Sequence, residues 1–378
     1  MERPPRPRKE LRQGFSTGTA AAAAAQGALH ELLGLPCPEQ VAVPLPGGGS
    51  LTVPLHYHRR QGDRGLAGVI KDAGDDPDVT NGAEIGARVW LANPGSGAEI
   101  VFHAGQGVGR VTKPGLPLAV GEPAINPVPR KMIRRSLGLL WDQARPGQPL
   151  HLEVEIFVPG GEEMARHTLN PRLGIVGGLS ILGTTGLVKP FSHAAYRATI
   201  AASLRVAQAL GIARMVFTTG GKSEAAMQAL LPALPEEAFV QMGDYVRFAL
   251  RIASNMRFRE ITVGAFFGKA VKIAQGKGHT HASRGLPNLA ALGGLTLETT
   301  GKAELAQAVA RANTARQALE ILTAARAPEV VAAVGVRMLA SLRSHAGDGP
   351  ELAAAILDFS GSPLWQGRSP RAAGTWRT

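Results

Sequence analysis

From Ala213 the sequence repeats one pattern three times, and that pattern restricts the fold more than any other feature. "ARMVFTTGGKSEAAMQALL", "EAFVQMGDYVRFALRIASN" and "REITVGAFFGKAVKIAQG" each pass from an apolar strand through a glycine-containing turn into a helix. Strand and helix alternating at roughly two dozen residues per unit argue for parallel strands joined by crossover helices. Sheets of that kind bind ligands at the carboxyl ends of their strands. Those ends are Thr218 to Lys222, Met242 to Asp244 and Gly264 to Lys269. Ser192 is placed to cap a preceding helix that runs to Leu210 and stops at Gly211, and a largely helical tail follows from Glu304 to His345. The closing "GSPLWQGRSPRAAGTWRT" reads as a mobile extension.

The first half has a different character, that of an α+β domain. Its opening block, "LRQGFSTGTAAAAAAQGALHELLG" (Leu11 to Gly34), proposes a helix, because alanine is the strongest helix former and leucines recur at helical spacing. Ser16, Thr17 or Thr19 serves as N-cap, and Gly34 followed by Pro36 marks the stop. Small side chains on the first turns allow another backbone, or a flat ligand, to come close. N–H groups behind the hydroxyls attract an anion, whereas the plainer expectation is a capped helix packed tightly on a sheet. A hairpin over Gln40 to His58, strands at Leu66 to Lys71, in "AEIGARVWL" and in "LHLEVEIFVPG", and a helix from Pro127 to about Gln143 complete the outline.

Composition narrows the class of partner. The net charge is +12, so acidic partners are favoured, yet aromatic residues are only 5% and no zinc-finger or RNP-type segment is present. A polycarboxylate or phosphorylated small molecule suits scattered basic groups such as "PRKMIRR" equally well. Cys37 is the single cysteine, which rules out an internal disulfide and a thiolate metal cluster. The amino terminus is polar, no apolar run approaches a membrane span, and a cytoplasmic location is expected.

Several loops carry candidate chemistry. "KDAGDDPDVTNGAEI" crowds Asp72, Asp75, Asp76 and Asp78 together, and mutual repulsion there would raise a pKa towards that of a proton acceptor. An aspartate-capped turn stiffened by Pro77 is the equal alternative. "GQGVGRVTKPGLPLAVGEPAINPVPRKMI" lacks Walker spacing, and Pro127 and Pro129 remove donors from the next helix, so Lys113, Glu122, Arg130 and Lys131 are taken as side-chain contacts. "LGIVGGLSILGTTGLVKPFS" is a third hydroxyl-rich turn, at the expected domain boundary. His279 with His281, and His56 with His58, sit two apart without an evident third ligand, so no metal site is expected.

Five blocks taken in order, "GFSTGTAAAAAA", "KDAGDDPDVTNGAEI", "GVGRVTKPGLPLAVGEPAINPVPRKMI", "GIVGGLSILGTTGLVKP" and "FFGKAVKIAQGKGHTH", closely resemble the cobalt-precorrin-5B C(1)-methyltransferase family, CbiD. The resemblance covers roughly Leu11 to Gly285. One departure is Ala20, where family members commonly carry a cysteine, and it argues against a thiol nucleophile. The resemblance implies an α+β first domain and an α/β Rossmann-like second domain with parallel strands. Boundaries are expected at 1–10 (disordered tail), 11–190, 191–360 and 361–378 (mobile extension).

The reaction it implies is transfer of a methyl group from S-adenosylmethionine to carbon 1 of cobalt-precorrin-5B, giving cobalt-precorrin-6A in anaerobic cobalamin synthesis. Cobalt enters only as part of that substrate, a corrinoid fringed by carboxylates; homo-oligomers and transient contacts with neighbouring pathway enzymes fit the same picture. On this basis Asp75, Asp76 and Glu122 are candidate bases. Gly177, Gly178, Thr184, Thr185, Gly220, Gly221 and Glu224 are candidate donor-binding residues, and Ser16, Thr17, Thr19, Lys113, Arg130 and Lys131 candidate substrate contacts. A nucleotide-dependent phosphotransferase and a charge-driven nucleic-acid-binding module are the alternatives. The lack of a phosphate motif counts against the first, and the ordered glycine and acidic loops against the second.

Overall fold

The computed structural model describes residues 11–92 and 99–369; the expected tail at 1–10 and residues 370–378 of the expected extension lie outside the described residues. The chain divides into two compact units, Met1–His193 and Ala194–Thr378. Both are mixed α/β structures with parallel strand pairs.

In the first unit the alanine block forms helix α1 (Thr17–Leu33), with Ser16 as N-cap and Gly34 (φ +67°) closing the last turn. It lies against a five-stranded sheet of β1 (Tyr57–Gln61), β2 (Arg64–Ile70), β3 (Glu84–Leu91), β4 (Ile100–Ala104) and β5 (Leu152–Phe157), in the order β1-β2-β3-β5-β4. All neighbours are antiparallel except β4 and β5. Helix α2 (Pro127–Ala144) packs on α1 and buries Met132, Ile133, Leu137, Leu140 and Trp141. The alanines are wholly buried because the helix is enclosed, and their small size sets its distance from the sheet. A Cβ built on Gly65 would lie 1.7 Å from the Ala28 carbonyl oxygen, so the backbones of β2 and α1 touch there. The expected hairpin is present as Gln40–Pro44 paired with Ser50–Pro54.

In the second unit α3 (His193–Ala209) precedes β6 (Arg214–Thr218), α4 (Gly221–Leu230), β7 (Phe239–Gln241), α5 (Val246–Asn255), β8 (Glu260–Phe266) and α6 (Phe267–Ala274). The three expected strands are parallel, as their spacing requires. The tail resolves into α7 (Leu289–Thr300), α8 (Ala303–Ala310), α9 (Ala315–Ala324) and α10 (Pro328–Ala346). Two strands absent from the sequence outline complete the sheet: β9 (Glu351–Leu357), parallel to β8, and β10 (Pro363–Ser369), antiparallel on β9. The order is β7-β6-β8-β9-β10. Residues 363–369 are therefore an edge strand and not part of a mobile extension. Trp365 anchors it by lying on Gly335 of α10, where an added Cβ would come within 2.3 Å of the indole.

The acidic loop after β2 is tied down residue by residue. Lys71, only 2% exposed, donates from Nζ to Asp78 Oδ2 at 2.5 Å, and Asp78 also accepts from the N–H and hydroxyl of Thr80. Burial works to raise the Asp78 pKa, but the bonds from Lys71 and Thr80 and the lysine charge outweigh it and hold the carboxyl below its ordinary value. Asp72 is likewise lowered, chiefly by the Arg12 guanidinium and the Gly74 N–H. Crowding therefore does not raise these two carboxyls, because each has its own donor.

Gly65→Ala should destabilise by about 3 kcal/mol or more in urea titration, since backbone and not a flexible side chain occupies the space. Gly138→Ala, in α2 with nothing within 4 Å of the new Cβ, should instead be neutral or stabilising by about 1 kcal/mol. For the buried pair, Asp78→Asn should cost about 3 kcal/mol by leaving Lys71 uncompensated, and Lys71→Met distinctly less. The carboxyl's contribution is complete above its unfolded value of about 3.9 and should be lost as pH falls through the lower folded value. Wild-type stability should therefore drop below about pH 4 by more than that of Asp78→Asn.

Candidate functional site

The carboxyl edge of the second sheet has the most open backbone among the candidate segments. After Thr218 the chain turns through Thr219 and Gly220 into α4. A Cβ on Gly220 would meet nothing within 4 Å, and one on Gly221 only Gln241 Nε2 at 3.9 Å. Ser223 shapes this turn by accepting from the Thr219 N–H and donating to the Gly220 carbonyl at 2.8 Å. Thr218 is fully buried and its hydroxyl has no hydrogen-bond partner among the described residues. Glu224, one turn into α4, receives Gln241 Nε2 at 3.3 Å. Beside α4 lies a cavity of about 510 Å³ lined by Lys222, Ala226, Leu230, Phe266, Phe359 and Ser360 among others. That volume falls within the range of small-molecule sites.

Along the same edge stands a polar cluster that the sequence analysis did not assign as a site. Asp244, just beyond β7, accepts from Lys269 Nζ and from Thr280 Oγ1 at 2.7 Å. Lys272, one turn after Lys269 on α6 and 6% exposed, donates to the Thr280 carbonyl at 2.9 Å. Burial favours a neutral Asp244, but Lys269 and Thr280 hold it ionised, below the usual carboxylate range. Burial, then the charges of Lys269 and Lys277, lower the Lys272 pKa. Tyr245 is stacked on Tyr196 at 5.2 Å and meets His279 edge-on at 4.9 Å. Lys269, Lys272 and Thr280 fall within the "FFGKAVKIAQGKGHTH" block, and Asp244 lies 25 residues before Lys269. The signal available was positional, for Asp244 and Lys269 both stand at strand ends that the parallel-sheet rule marks.

In the first unit several expected contacts are engaged inside the protein. Ser16, Thr17 and Thr19 are buried, and their hydroxyls fasten the 182–186 segment onto the start of α1. Thr17 Oγ1 donates to the Leu182 carbonyl and accepts its N–H, while Thr19 Oγ1 donates to Gly186 at 2.6 Å. Ser16 Oγ caps the Thr19 N–H. In this turn the N–H groups of Ser16, Gly18 and Thr19 are given to protein acceptors. Gly178 is packed on the protein, and a Cβ there would lie 2.2 Å from the Gly107 carbonyl group. Gly177 is open, and Thr184 and Thr185 are exposed, with Thr185 Oγ1 bonded locally to Leu187.

The candidate acids and bases are separated in role. Asp75 accepts the Arg12 N–H at 2.8 Å, and Asp76 accepts the Phe191 N–H at 2.9 Å. Glu122 pairs with Arg130 at 2.8 Å and keeps 42% of its side chain exposed. Arg130 also donates to the carbonyls of Ile125 and Pro123 and lies over the Phe102 ring, so it clasps its own loop. Lys113 packs across Gly174 and points its ammonium at the Arg172 carbonyl, whereas Lys131 is exposed.

Comparison with known proteins agrees with the order of the sequence blocks. The CbiD family model matches residues 5–190, and the model of the CbiD C-terminal domain matches residues 279–368. The cobalt-precorrin-5B C(1)-methyltransferase of Thermus thermophilus is 46% identical over 94% of each chain. That of Nitratidesulfovibrio vulgaris is 45% identical over 95% of this chain and 93% of its own. A crystal structure of the cobalamin biosynthesis protein CbiD from Archaeoglobus fulgidus is 29% identical, covers 68% of this chain and 78% of that chain, and has a TM-score of 0.39.

Proposed function

The chain belongs to the CbiD family, and from that membership we propose that it methylates carbon 1 of cobalt-precorrin-5B with S-adenosylmethionine as donor, giving cobalt-precorrin-6A. The observation that carries this is the 46% identity with a cobalt-precorrin-5B C(1)-methyltransferase along 94% of the chain. We read the second unit as a Rossmann-like domain and place the donor there. The open Gly220–Gly221 turn at the end of a parallel strand supports that choice over the 177–185 segment.

S-adenosylmethionine, when bound, supplies a methyl group already activated on sulfur. The residues of the chain have three tasks around it. The α4 amino terminus and the Gly220–Gly221 backbone receive the donor's carboxylate, with no side chain in the way. Glu224 accepts from ribose hydroxyls, and the adjoining cavity with Phe266 and Phe359 takes the flat base. Holding sulfur, methyl and acceptor carbon in line then supplies most of the acceleration. For the corrinoid, exposed Lys131 suits its fringe of carboxylates. Lys113 and Arg130 are assigned mainly to holding their loops. The proton lost from the corrinoid goes to a carboxylate, and we assign Glu122. Asp75 and Asp76 each tie down a backbone N–H, whereas Glu122 stands exposed beside an arginine.

Anaerobic incubation with cobalt-precorrin-5B and methyl-labelled S-adenosylmethionine should yield a labelled corrinoid one methyl heavier; an unlabelled product in conditions where a relative succeeds would refute the activity. Calorimetry locates the donor. Gly221→Val should weaken its binding by about tenfold or more with an unchanged melting temperature, whereas Gly178→Val should lower the melting temperature through its clash with Gly107. Among the acids, Glu122→Gln should cut the single-turnover rate by about a hundredfold or more at unchanged affinities. Asp75→Asn and Asp76→Asn should chiefly lose stability, and equal rates in all three would mean that none of them takes the proton.

A further inference from the structure

We propose that Glu31, Cys37 and His58 form a binding site for a divalent cation of borderline softness, Zn²⁺ or Co²⁺, on the first unit and apart from the methyl-transfer residues. The three belong to separate elements: the last turn of α1, the loop that follows it, and strand β1. One carboxylate oxygen, the sulfur and one imidazole nitrogen lie within 4.8 Å of one another. Ligands of a tetrahedral zinc ion stand about 3.5 Å apart, so small side-chain rotations suffice to close them on a metal. His58 Nδ1 already meets Glu31 Oε1 at 2.7 Å.

The donor set decides the class of ion. Thiolate, imidazole and carboxylate together favour zinc-like metals, whereas magnesium and calcium require more oxygen ligands. A carboxylate and a thiolate neutralise a divalent ion, with water in the fourth position. Two further observations point the same way. Glu31 lies at the carboxyl end of a 17-residue helix, where the backbone carbonyls concentrate negative potential and favour a cation. Cys37 has no strong partner of its own: its sulfur lies 3.7 Å from the Gly27 carbonyl and 3.8 Å from that of Pro38. Forming the sulfur–metal bond displaces the thiol proton to solvent.

The test titrates the chelator-treated full chain with cobalt(II) chloride alone. One equivalent should produce a thiolate-to-cobalt charge-transfer band in the near ultraviolet, intense visible ligand-field bands, and release of about one proton per metal. Cys37→Ser should abolish the charge-transfer band, and His58→Ala and Glu31→Gln should each weaken binding by about tenfold or more. The double variant His279→Ala/His281→Ala should retain the spectrum. Absence of the band in the wild-type protein, or its persistence in Cys37→Ser, overturns the site. Should Cys37→Ser fail to fold, the zinc-induced rise in melting temperature decides: it should vanish in His58→Ala and survive in His56→Ala, and any other pattern refutes the assignment.

Discussion

The contact between the Ala28 carbonyl of α1 and the backbone of β2 at Gly65 governs the first unit. A helix whose buried face carries leucines normally sits about 10 Å from a sheet, with side chains filling the gap. Here alanines line the helix on all sides and a glycine faces it, so the gap closes to backbone contact. Gly27 extends the seam, its position bounded by Leu55 and Ala67. Dispersion contacts over such a seam are numerous and short, and any added methyl group has nowhere to go. Because α1 is fixed this firmly, both of its ends become rigid reference points. The 182–186 segment is fastened at one end, and Glu31 is held near Cys37 and His58 at the other.

The second unit obtains its site by a different route. Parallel pairing directs the carboxyl ends of β6, β7 and β8 to one edge, where loops separated in sequence converge. The chemistry found there is a consequence of topology. Asp244 arrives on the loop after β7, Lys269 on α6 and Thr280 on the loop beyond it, and their hydrogen bonds satisfy a carboxylate that burial would otherwise neutralise. A lysine as enclosed as Lys272 is tolerated because a carbonyl receives it.

Legibility in the sequence followed the same division. The βα units were readable because hydrophobic runs, glycine turns and helix lengths all agreed locally, and α1 was readable from alanine content and its two caps. Strand β9 was not, because "ELAAAIL" is made of helix-forming residues and becomes a strand only through its place beside β8. Strand β10 was hidden for a related reason: its proline, glycine and serine suggest a loose tail, and its order comes from Trp365 lying on Gly335, a contact that no local pattern announces. At the site level, the open turn at Gly220 and Gly221 was legible because strand-end glycines have a positional meaning. The bonds of Asp244 to Lys269 and Thr280 were not, because they join separate loops, nor was the Glu31–Cys37–His58 group, whose members share no spacing. The acidic loop misled by composition, since a count of carboxylates does not reveal that Arg12, Lys71 and several N–H groups are matched to them one by one.

The hydroxyl- and glycine-rich turns show most directly why composition alone leaves function open. "STGT" at 16–19, "GTTG" at 183–186 and "TTGG" at 218–221 offer nearly the same groups. A helix amino terminus has a fixed number of unsatisfied N–H groups, and whatever satisfies them first removes them from further use. The first two turns satisfy each other: Ser16 and Gly18 donate their N–H groups to Gly186 and Leu182, and the threonine hydroxyls complete the exchange. Close approach is what the glycines there permit, as Gly183 does by admitting Ser16. At the third turn, no described residue lies within 4 Å of a Cβ placed on Gly220. Its own Ser223 organises the loop from behind, the space before Gly220 is open, and the buried Thr218 hydroxyl lacks a protein partner among the described residues. Equal local chemistry thus gives a structural clasp in one unit and an open turn in the other, and the difference lies in what the fold places opposite.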